Sequence, residues 1–383
     1  MEVHTLFVVV KLAERCNIKC SYCYYYSPSH ADVYDRPVLM PTPTLDRLAD
    51  FLAETAAFRD LSTLVIAFHG GEPTLMRPAI VDRFASDLRS RLPAKTVLRL
   101  AVQTNGVFLP PGWLDIIKKH DIHVGISLDG RKPQHDLHRV DHKGRGTYDR
   151  ILRNIRMLQE TLPNHTAALG AISVLSPDTD VLSLYRHVSE DIGIRRIKLL
   201  LPDQTHDTAV ASVGHNHDYS AGLSATFDYW MMNHLDLVNV EMFDRVVRSI
   251  MLSRARSRLT PKSPSAAIAV LSNGEFRIAD EYMVTDQWFK GQLKLSIFSN
   301  TFDDWFEQAS VKEVWSADHG IPAKCLGCEY ATSCAGGEVA SRYSSLNGFD
   351  NRSVHCQTLW GLHQHISNRL LRAEDVDHAA ATA

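Results

Sequence analysis

No run of eighteen or so consecutive apolar residues occurs in this sequence, so no segment is suited to cross a bilayer as a helix. The first residues, MEVHTLFVVVKLAERC, lack the small-residue cleavage site that ends a secretory signal, and the expected location is cytoplasmic. An excess of one charge is lacking too. Lys and Arg number 41 against 44 Asp and Glu, a formal net charge of −3, so no global field draws the chain to nucleic acid or membrane, and partners must be recognised locally. Cysteine is absent from residues 24–324: Cys16, Cys20 and Cys23 precede that gap, and Cys325, Cys328, Cys334 and Cys356 follow it. In a reducing compartment clustered thiols are more often metal ligands or catalytic groups than disulfides, and seven of them, an odd count, fit a disulfide framework poorly. Apolar residues make up 45% of 383, enough for one large domain with an appendage or for two domains.

Up to about residue 203 the pattern alternates strand and helix. TLFVVVKLA (5–13), STLVIAF (62–68), VLRLAVQT (97–104), HVGISL (123–128), AALGAISVL (167–175) and IRRIKLLL (194–201) are short, apolar and β-branched, as buried strands are. Between them TPTLDRLADFLAETAAF, AIVDRFASDLRSRL, GWLDIIKKH, TYDRILRNIRMLQETL and VLSLYRHVSEDI carry helical periodicity. Such an order predicts a parallel sheet with right-handed crossovers, doubly wound or closing toward a barrel, with reactive groups at the carboxyl ends of the strands. Residues 204–222 and 253–265 are polar breaks flanking one long helical stretch, 226–252, and define a connector over 206–265. A hairpin is expected over 267–285 and a disordered tail over 373–383.

The first cysteines are spaced C-x3-C-x2-C directly after the first strand. Three thiolates hold three irons of a [4Fe–4S] cluster and leave the fourth iron open to a ligand. A structural zinc site needs a fourth protein ligand, and the nearest candidates, His4 and His30, have no ligand spacing to the triplet. With aromatic Tyr22 before the last cysteine, the segment resembles the signature of the radical SAM superfamily. The resemblance implies that S-adenosylmethionine chelates the open iron and is cleaved to a 5′-deoxyadenosyl radical that abstracts hydrogen from unactivated carbon, with the protein supplying placement. It also implies roles for other strand ends. Gly70, Gly71, Glu72 and Pro73 match the GGEP segment that contacts the amino group of the cofactor, Asn105 lies in QTNG, and Ser127 in SLDG corresponds to a ribose or carboxylate contact. Arg139 or Arg145 is the expected partner of the cofactor carboxylate. Taken singly, each is an ordinary turn or solvated charge; their order after the triplet carries the resemblance, which spans about residues 5–203.

The second cysteines are spaced C-x2-C-x5-C-x21-C, a closed four-thiolate set that suits a zinc knot or a fully ligated [4Fe–4S] cluster. After a radical SAM core it resembles the SPASM extension, whose full pattern has more cysteines and two auxiliary clusters. Here Ala279 and Glu338 stand where cysteines are usual, so one auxiliary cluster is expected. The expected fold is therefore α/β, a partial (β/α)6 TIM-like barrel over 1–205 with a SPASM-like cluster domain over 266–372.

The stretch AGGEVASRYSSLNGFDNRSVHC and the start VVVKLAERCNIKCSYCYYY are similar to the cyclophane-forming radical SAM/SPASM peptide maturases, and LLPD (200–203) is also seen there. That resemblance implies carbon–carbon cross-linking of an aromatic ring to a β-carbon in a ribosomal precursor peptide, with flavodoxin or ferredoxin as reductant. Arg342, Tyr343 and the Asn-Gly turn are expected to cover the cluster. The other radical modifications are formylglycine formation, thioether formation and epimerisation; the non-enzyme reading is a zinc-stabilised binding module. Asp280 follows Ala279 as an aspartate follows the corresponding cysteine in sulfatase-maturing enzymes, and is the expected general base, with a raised pKa in a partly dry pocket. HNHD (215–218) is read as an exposed connector rather than a metal site.

Overall fold

A computed structural model describes residues 2–163, 168–209, 217–254 and 265–381, and the chain divides into two compact units. The first comprises Met1–Ser173 and Lys262–Lys312, the second Val174–Pro261 and Glu313–Ala383. These boundaries differ from those expected: the first unit takes in the segment after residue 262, and the connector belongs to the second.

In the first unit, β1 (Thr5–Ala13), β3 (Thr63–Gly70), β4 (Val97–Thr104), β5 (His123–Ser127) and β7 (Leu169–Val174) form a parallel sheet in that order, while β2 (Ile18–Cys20) and β6 (Arg139–Asp141) pair separately as an antiparallel ribbon. Side-chain alternation sets the two faces: in β3, Leu64, Ile66 and Phe68 are buried and Val65, Ala67 and His69 only half-buried. The covering helices follow their apolar periodicity. Thr42–Phe58 buries Leu45, Leu48, Ala49, Leu52 and Ala56, and Pro78–Arg91 buries Val81, Phe84, Ala85 and Leu88, Phe84 meeting Phe68 at 6.1 Å between ring centroids.

In the second unit β8 (Arg196–Leu200) pairs in parallel with the short β9 (Asn239–Val240). The expected long helix is two helices, Ser220–Asn233 and Glu241–Arg254. The chain breaks where Trp230 donates its indole N–H to the Val238 carbonyl at 2.6 Å and the β-branched run around Val238 turns extended. Phe227, Trp230 and Phe243 form the apolar centre of this layer, and the helix Cys356–Ala381 is tied to it by Arg369 and His365 on Asp228. That last helix runs through the segment expected to be a disordered tail.

The hairpin is present as β10 (Ser265–Val270) against β11 (Glu275–Ile278), extended by β12 (Leu295–Ser296). β10 also lies parallel to β1, Thr5 opposite Ser265, which adds three strands to the first unit's sheet.

Candidate active site and cluster sites

The triplet loop leaves β1 and is held from several sides within the first unit. Gly71 N–H donates to Ala13 O at 2.7 Å and Glu72 N–H to Arg15 O at 3.0 Å, so the GGEP segment clamps the chain just before Cys16. Both glycines are sterically required. A Cβ on Gly70, whose φ is +136°, would lie 2.1 Å from Ala13 O, and one on Gly71 would lie 2.0 Å from Tyr26 Oη and 2.3 Å from Arg15 O. Glu72 itself is fully buried. Its carboxylate accepts from the Thr104 hydroxyl at 2.6 Å, the Thr74 hydroxyl at 2.7 Å, Asn105 N–H at 2.8 Å and Thr74 N–H at 3.1 Å, tying the ends of β3 and β4 together. Burial raises its pKa while those four donors oppose the rise. Glu72 is thus turned into the protein.

Beyond that clamp, Asn105 Nδ2 donates to Asn17 Oδ1 at 2.7 Å and to Cys16 Sγ at 3.5 Å, Arg139 Nη1 donates to Cys20 Sγ at 3.8 Å, and the His142 ring bonds Cys16 O at 2.9 Å. Tyr22 bonds Asp129, which in turn pairs with Arg139 at 2.7 Å; Arg139 lies over the Tyr22 ring. Of the two arginines expected near the cofactor, Arg139 is buried beside the triplet, whereas Arg145 is largely exposed and pairs with Asp141. Ser127 accepts from Gln103 at 3.0 Å. Asp129 and Asn17 belong to this constellation, although only their neighbours were singled out from sequence; the SLDG turn was the available signal for Asp129.

The donor set fits a cluster. Burial pushes the Cys16 thiol up to about 12 and the Cys20 thiol to about 11; Cys16 feels both Cys20 and Cys23, and Cys20 feels Cys23. Protein donors at both sulfurs and a bound cationic centre act in the opposite direction and favour the thiolate. In the second unit, Cys325, Cys328, Cys334 and Cys356 are free, and Cys325 and Cys334 each feel the field of Cys356. Burial raises Cys334 to about 11, and the N–H groups of Gly336 and Gly337 directed at its sulfur act to lower it. Among the described residues no three His, Cys, Asp or Glu side chains are placed to hold a metal ion.

The motif after Cys334 forms an internal hub. Arg342 is buried and donates to the carbonyls of Gly337 and Ala317, and Asn351 Nδ2 donates to the Arg342 carbonyl at 3.0 Å. Glu338 is an exposed partner of Arg245. Ala279 is buried at the start of the turn that carries Asp280.

Asp280 departs from the expectation of a raised pKa. It is ion-paired with fully buried Lys11 and lies 3.6 Å from the Arg277 guanidinium, and Lys11 also reaches His69 Nδ1 at 3.3 Å and sits over the Tyr25 ring at 4.1 Å. Desolvation pushes the carboxyl up, but the two cations outweigh it and hold its pKa below the usual carboxylate range. Lys11, His69 and Arg277 were not found by sequence reasoning. Asp203, in LLPD, is solvent-accessible at the end of β8, and desolvation raises its pKa to about 6. In HNHD, His215 and Asn216 lie outside the described residues.

Residues 10–181 match the family model for the Radical SAM superfamily. That segment, somewhat under half of the chain, carries the radical SAM match, and the protein is a radical S-adenosylmethionine enzyme, of a class that binds a [4Fe–4S] cluster and S-adenosylmethionine. Over 366 residues it is 23% identical to a cysteine-type anaerobic sulfatase-maturating enzyme of Clostridium novyi (strain NT), covering 92% of this chain and 93% of that protein. A serine-type anaerobic sulfatase-maturating enzyme of Bacteroides thetaiotaomicron is 22% identical over 384 residues, covering 94% and 89%. The structure of native anSMEcpe with bound AdoMet superposes with a TM-score of 0.78 at 21% identity over 97% of this chain and 99% of that one; the same protein with AdoMet and the Kp18Cys peptide gives 0.77. The α/β radical SAM fold expected from the sequence is the fold observed. Among the described residues no helix is long and apolar enough to cross a membrane.

Proposed function

We propose that the protein oxidises a side chain of a peptide substrate, removing two hydrogens, with formylglycine formation as the leading product. The observation that carries this reading is the likeness to sulfatase-maturating enzymes along nearly the full length of both chains, cluster-bearing second unit included. When bound, the reduced cluster and S-adenosylmethionine supply the radical that removes a hydrogen atom. Cys16, Cys20 and Cys23 would hold that cluster, with Asn105 and Arg139 placed to hydrogen-bond its ligand sulfurs. Cys325, Cys328, Cys334 and Cys356 would hold one auxiliary [4Fe–4S] cluster. A flavodoxin- or ferredoxin-type protein would be the reductant.

A second reading, the carbon–carbon cross-link implied by the C-terminal motif, is favoured by the cysteine set. Ala279 and Glu338 replace two cysteines of the full SPASM pattern, so this chain carries fewer cluster ligands than sulfatase maturation by that pattern uses. On a serine peptide mass alone does not separate the readings, since a serine oxidised to an aldehyde and a cross-linked ring each lose two hydrogens; on a cysteine peptide the thioaldehyde left by that loss is hydrolysed, water oxygen replacing the sulfur that leaves as hydrogen sulfide. Coexpression with a candidate precursor peptide, taken from any short reading frame adjoining the gene, followed by aldehyde capture with a hydrazide and tandem mass spectrometry, distinguishes them. Formylglycine predicts hydrazide capture and free fragmentation. A cross-link predicts no capture and blocked fragmentation between an aromatic residue and the second residue on. Added oxygen in an intact side chain, or an added methyl group, would contradict both.

A further inference from the structure

The surface next to the cysteine triplet is built by the two-stranded ribbon of β2 and β6, which stands apart from the main sheet and lies wholly within the first unit. Cys20 ends β2 and lies opposite Arg139, and the ribbon is latched to the triplet loop at two places. Ser21 N–H donates to His138 O at 3.0 Å and Ser21 Oγ bonds the His138 ring at 2.8 Å, while the His142 ring bonds Cys16 O at 2.9 Å. Lys19, Ser21 and Tyr22 are exposed on that loop.

The charge of this surface is unlike that of the whole chain. Residues 131–145 carry five Lys or Arg and two Asp, a net +3 within a chain of net −3. Both acids are spent internally: Asp136 accepts from the N–H groups of Thr147 and Tyr148, and Asp141 accepts from those of Lys143 and Arg145 and pairs with Arg145 and Arg150. Two cations remain. Lys19, opposite Val140 in the ribbon, and Lys143, on the turn that Gly144 N–H closes onto Asp141 O at 2.9 Å, are exposed and have no ion-pair partner among the described residues. An apolar spot accompanies them: Leu137 is 61% exposed, and the next residue, His138, packs edge-on against the Tyr22 ring, itself 38% exposed.

We propose that the β2–β6 ribbon is the docking surface for an acidic one-electron carrier protein of flavodoxin or ferredoxin type, received on Lys19 and Lys143 around Leu137 and Tyr22. This rests on the reading of the protein as a radical enzyme supplied by such a reductant, and names the surface that receives it. In the encounter one electron leaves the reduced carrier, which is oxidised by that electron, and passes to the cluster that Cys16, Cys20 and Cys23 would hold; no proton or group moves with it. Complexes of this kind are small and short-lived, and are guided by unlike charge more than by area. Two unpaired ammonium groups beside a small apolar spot match that description. Electron transfer also weakens steeply with distance, so the carrier has to sit against the triplet loop itself, and the latches through His138 and His142 keep the ribbon there. The exposed residues around the other cysteine set are of mixed sign, Lys324 and Arg352 with Glu329 and Asp350, and make no comparable cationic surface.

Two measurements on the anaerobically reconstituted full chain test the surface, with a purified flavodoxin and a purified [4Fe–4S] ferredoxin as probes. The first is the affinity of each oxidised carrier, by calorimetry as salt is raised. At least one carrier should bind the wild type and weaken with salt, and Lys19→Glu/Lys143→Glu should lose about tenfold in affinity with a shallower salt dependence. Lys118→Glu/Lys294→Glu makes the same change of charge at exposed lysines elsewhere in the unit and should bind like wild type. The second follows bleaching of the iron–sulfur absorbance by the reduced carrier in stopped flow. It should be about tenfold slower in the ribbon variant, with unchanged iron content and unchanged 5′-deoxyadenosine release when dithionite replaces the carrier. Equal losses in both double variants would reduce the effect to net charge and overturn the proposal. Wild-type carrier affinity in Lys19→Glu/Lys143→Glu, or no saturable binding of either carrier to the wild type, would overturn it too. So would a ribbon variant that is reduced normally by the carrier but has lost affinity for a candidate precursor peptide, which would assign the ribbon to the substrate. Neither carrier measurement depends on peptide oxidation, so failure of that reading leaves their result intact.

Discussion

Lys11, at the carboxyl end of the first strand, is ion-paired with Asp280 just past β11, and both side chains are almost wholly removed from solvent. The pair joins the ends of the chain's first strand and its late hairpin within one unit. It holds the Asp280 carboxylate as an anion, with a pKa below rather than above the usual range. Removing one partner leaves the other charged and unpaired, so Lys11→Met should destabilise the protein by about 3–5 kcal/mol. The double variant Lys11→Met/Asp280→Asn should lose at least ~1 kcal/mol less than the sum of the single variants, measured by denaturant unfolding of the reconstituted protein. Additive losses would show that the two groups do not interact.

Stability should fall on the acid side. Desolvation and the adjacent Lys11 lower His69 to about 3, and desolvation followed by Arg139 lowers His135 to about 4, so both rings are neutral when folded. The unfolded chain takes up these protons near pH 6.5, and the folded chain only at the lower values. Stability is therefore complete above about pH 6.5 and is lost as pH falls toward 4 and then 3, by up to about 1.4 kcal/mol per pH unit for each ring. Asp280 adds to the loss lower down: its depressed pKa gives stability present above the unfolded value near 3.9 and lost as pH falls through the folded one. His135→Gln should flatten the profile between pH 6 and 4.5, and an unchanged slope would contradict its neutral burial.

Much of this architecture was readable in the sequence. The six strands were visible because buried strands read as continuous β-branched runs, and helix Thr42–Phe58 matched its apolar period from end to end. The two cysteine sets were visible because thiols occur nowhere else. What stayed hidden depends on partners remote in sequence. Nothing local in SAAIAV says that it lies against β1, and without that pairing Lys11 reads as a polar interruption of a strand and Asp280 as a turn charge beside Glu281. The GGEP glycines and Glu72 were read as cofactor contacts from the family pattern. In the structure the glycines clear space for Ala13 and Arg15, and the carboxylate is spent on Thr74, Thr104 and Asn105.

That close approach gives a prediction about the cluster. Gly71→Ala places a methyl group where Arg15 O and Tyr26 Oη already lie, which displaces the loop carrying Cys16. The expected outcome is a folded protein with about half the wild-type iron and no S-adenosylmethionine cleavage, the iron of the second unit being retained. Wild-type iron content in Gly71→Ala would show that the clamp does not govern the triplet.

Seven thiols in a three-plus-four arrangement predict roughly eight irons per chain. Replacing Cys16, Cys20 and Cys23 by Ala together should remove about half of that iron and all production of 5′-deoxyadenosine, with the remaining iron giving the spectrum of a single fully ligated [4Fe–4S] cluster. A colourless protein containing zinc at the four-cysteine set would contradict the auxiliary cluster.

The most direct test of peptide oxidation follows hydrogen out of the substrate. Reconstituted, chemically reduced enzyme is incubated with S-adenosylmethionine and a peptide, either a candidate precursor from an adjoining short reading frame or a sulfatase-type cysteine peptide, deuterated at its side-chain carbons. The account predicts one deuterium in 5′-deoxyadenosine and a peptide oxidised by two electrons in matching yield. 5′-Deoxyadenosine that accumulates without deuterium while both peptides remain intact would contradict it.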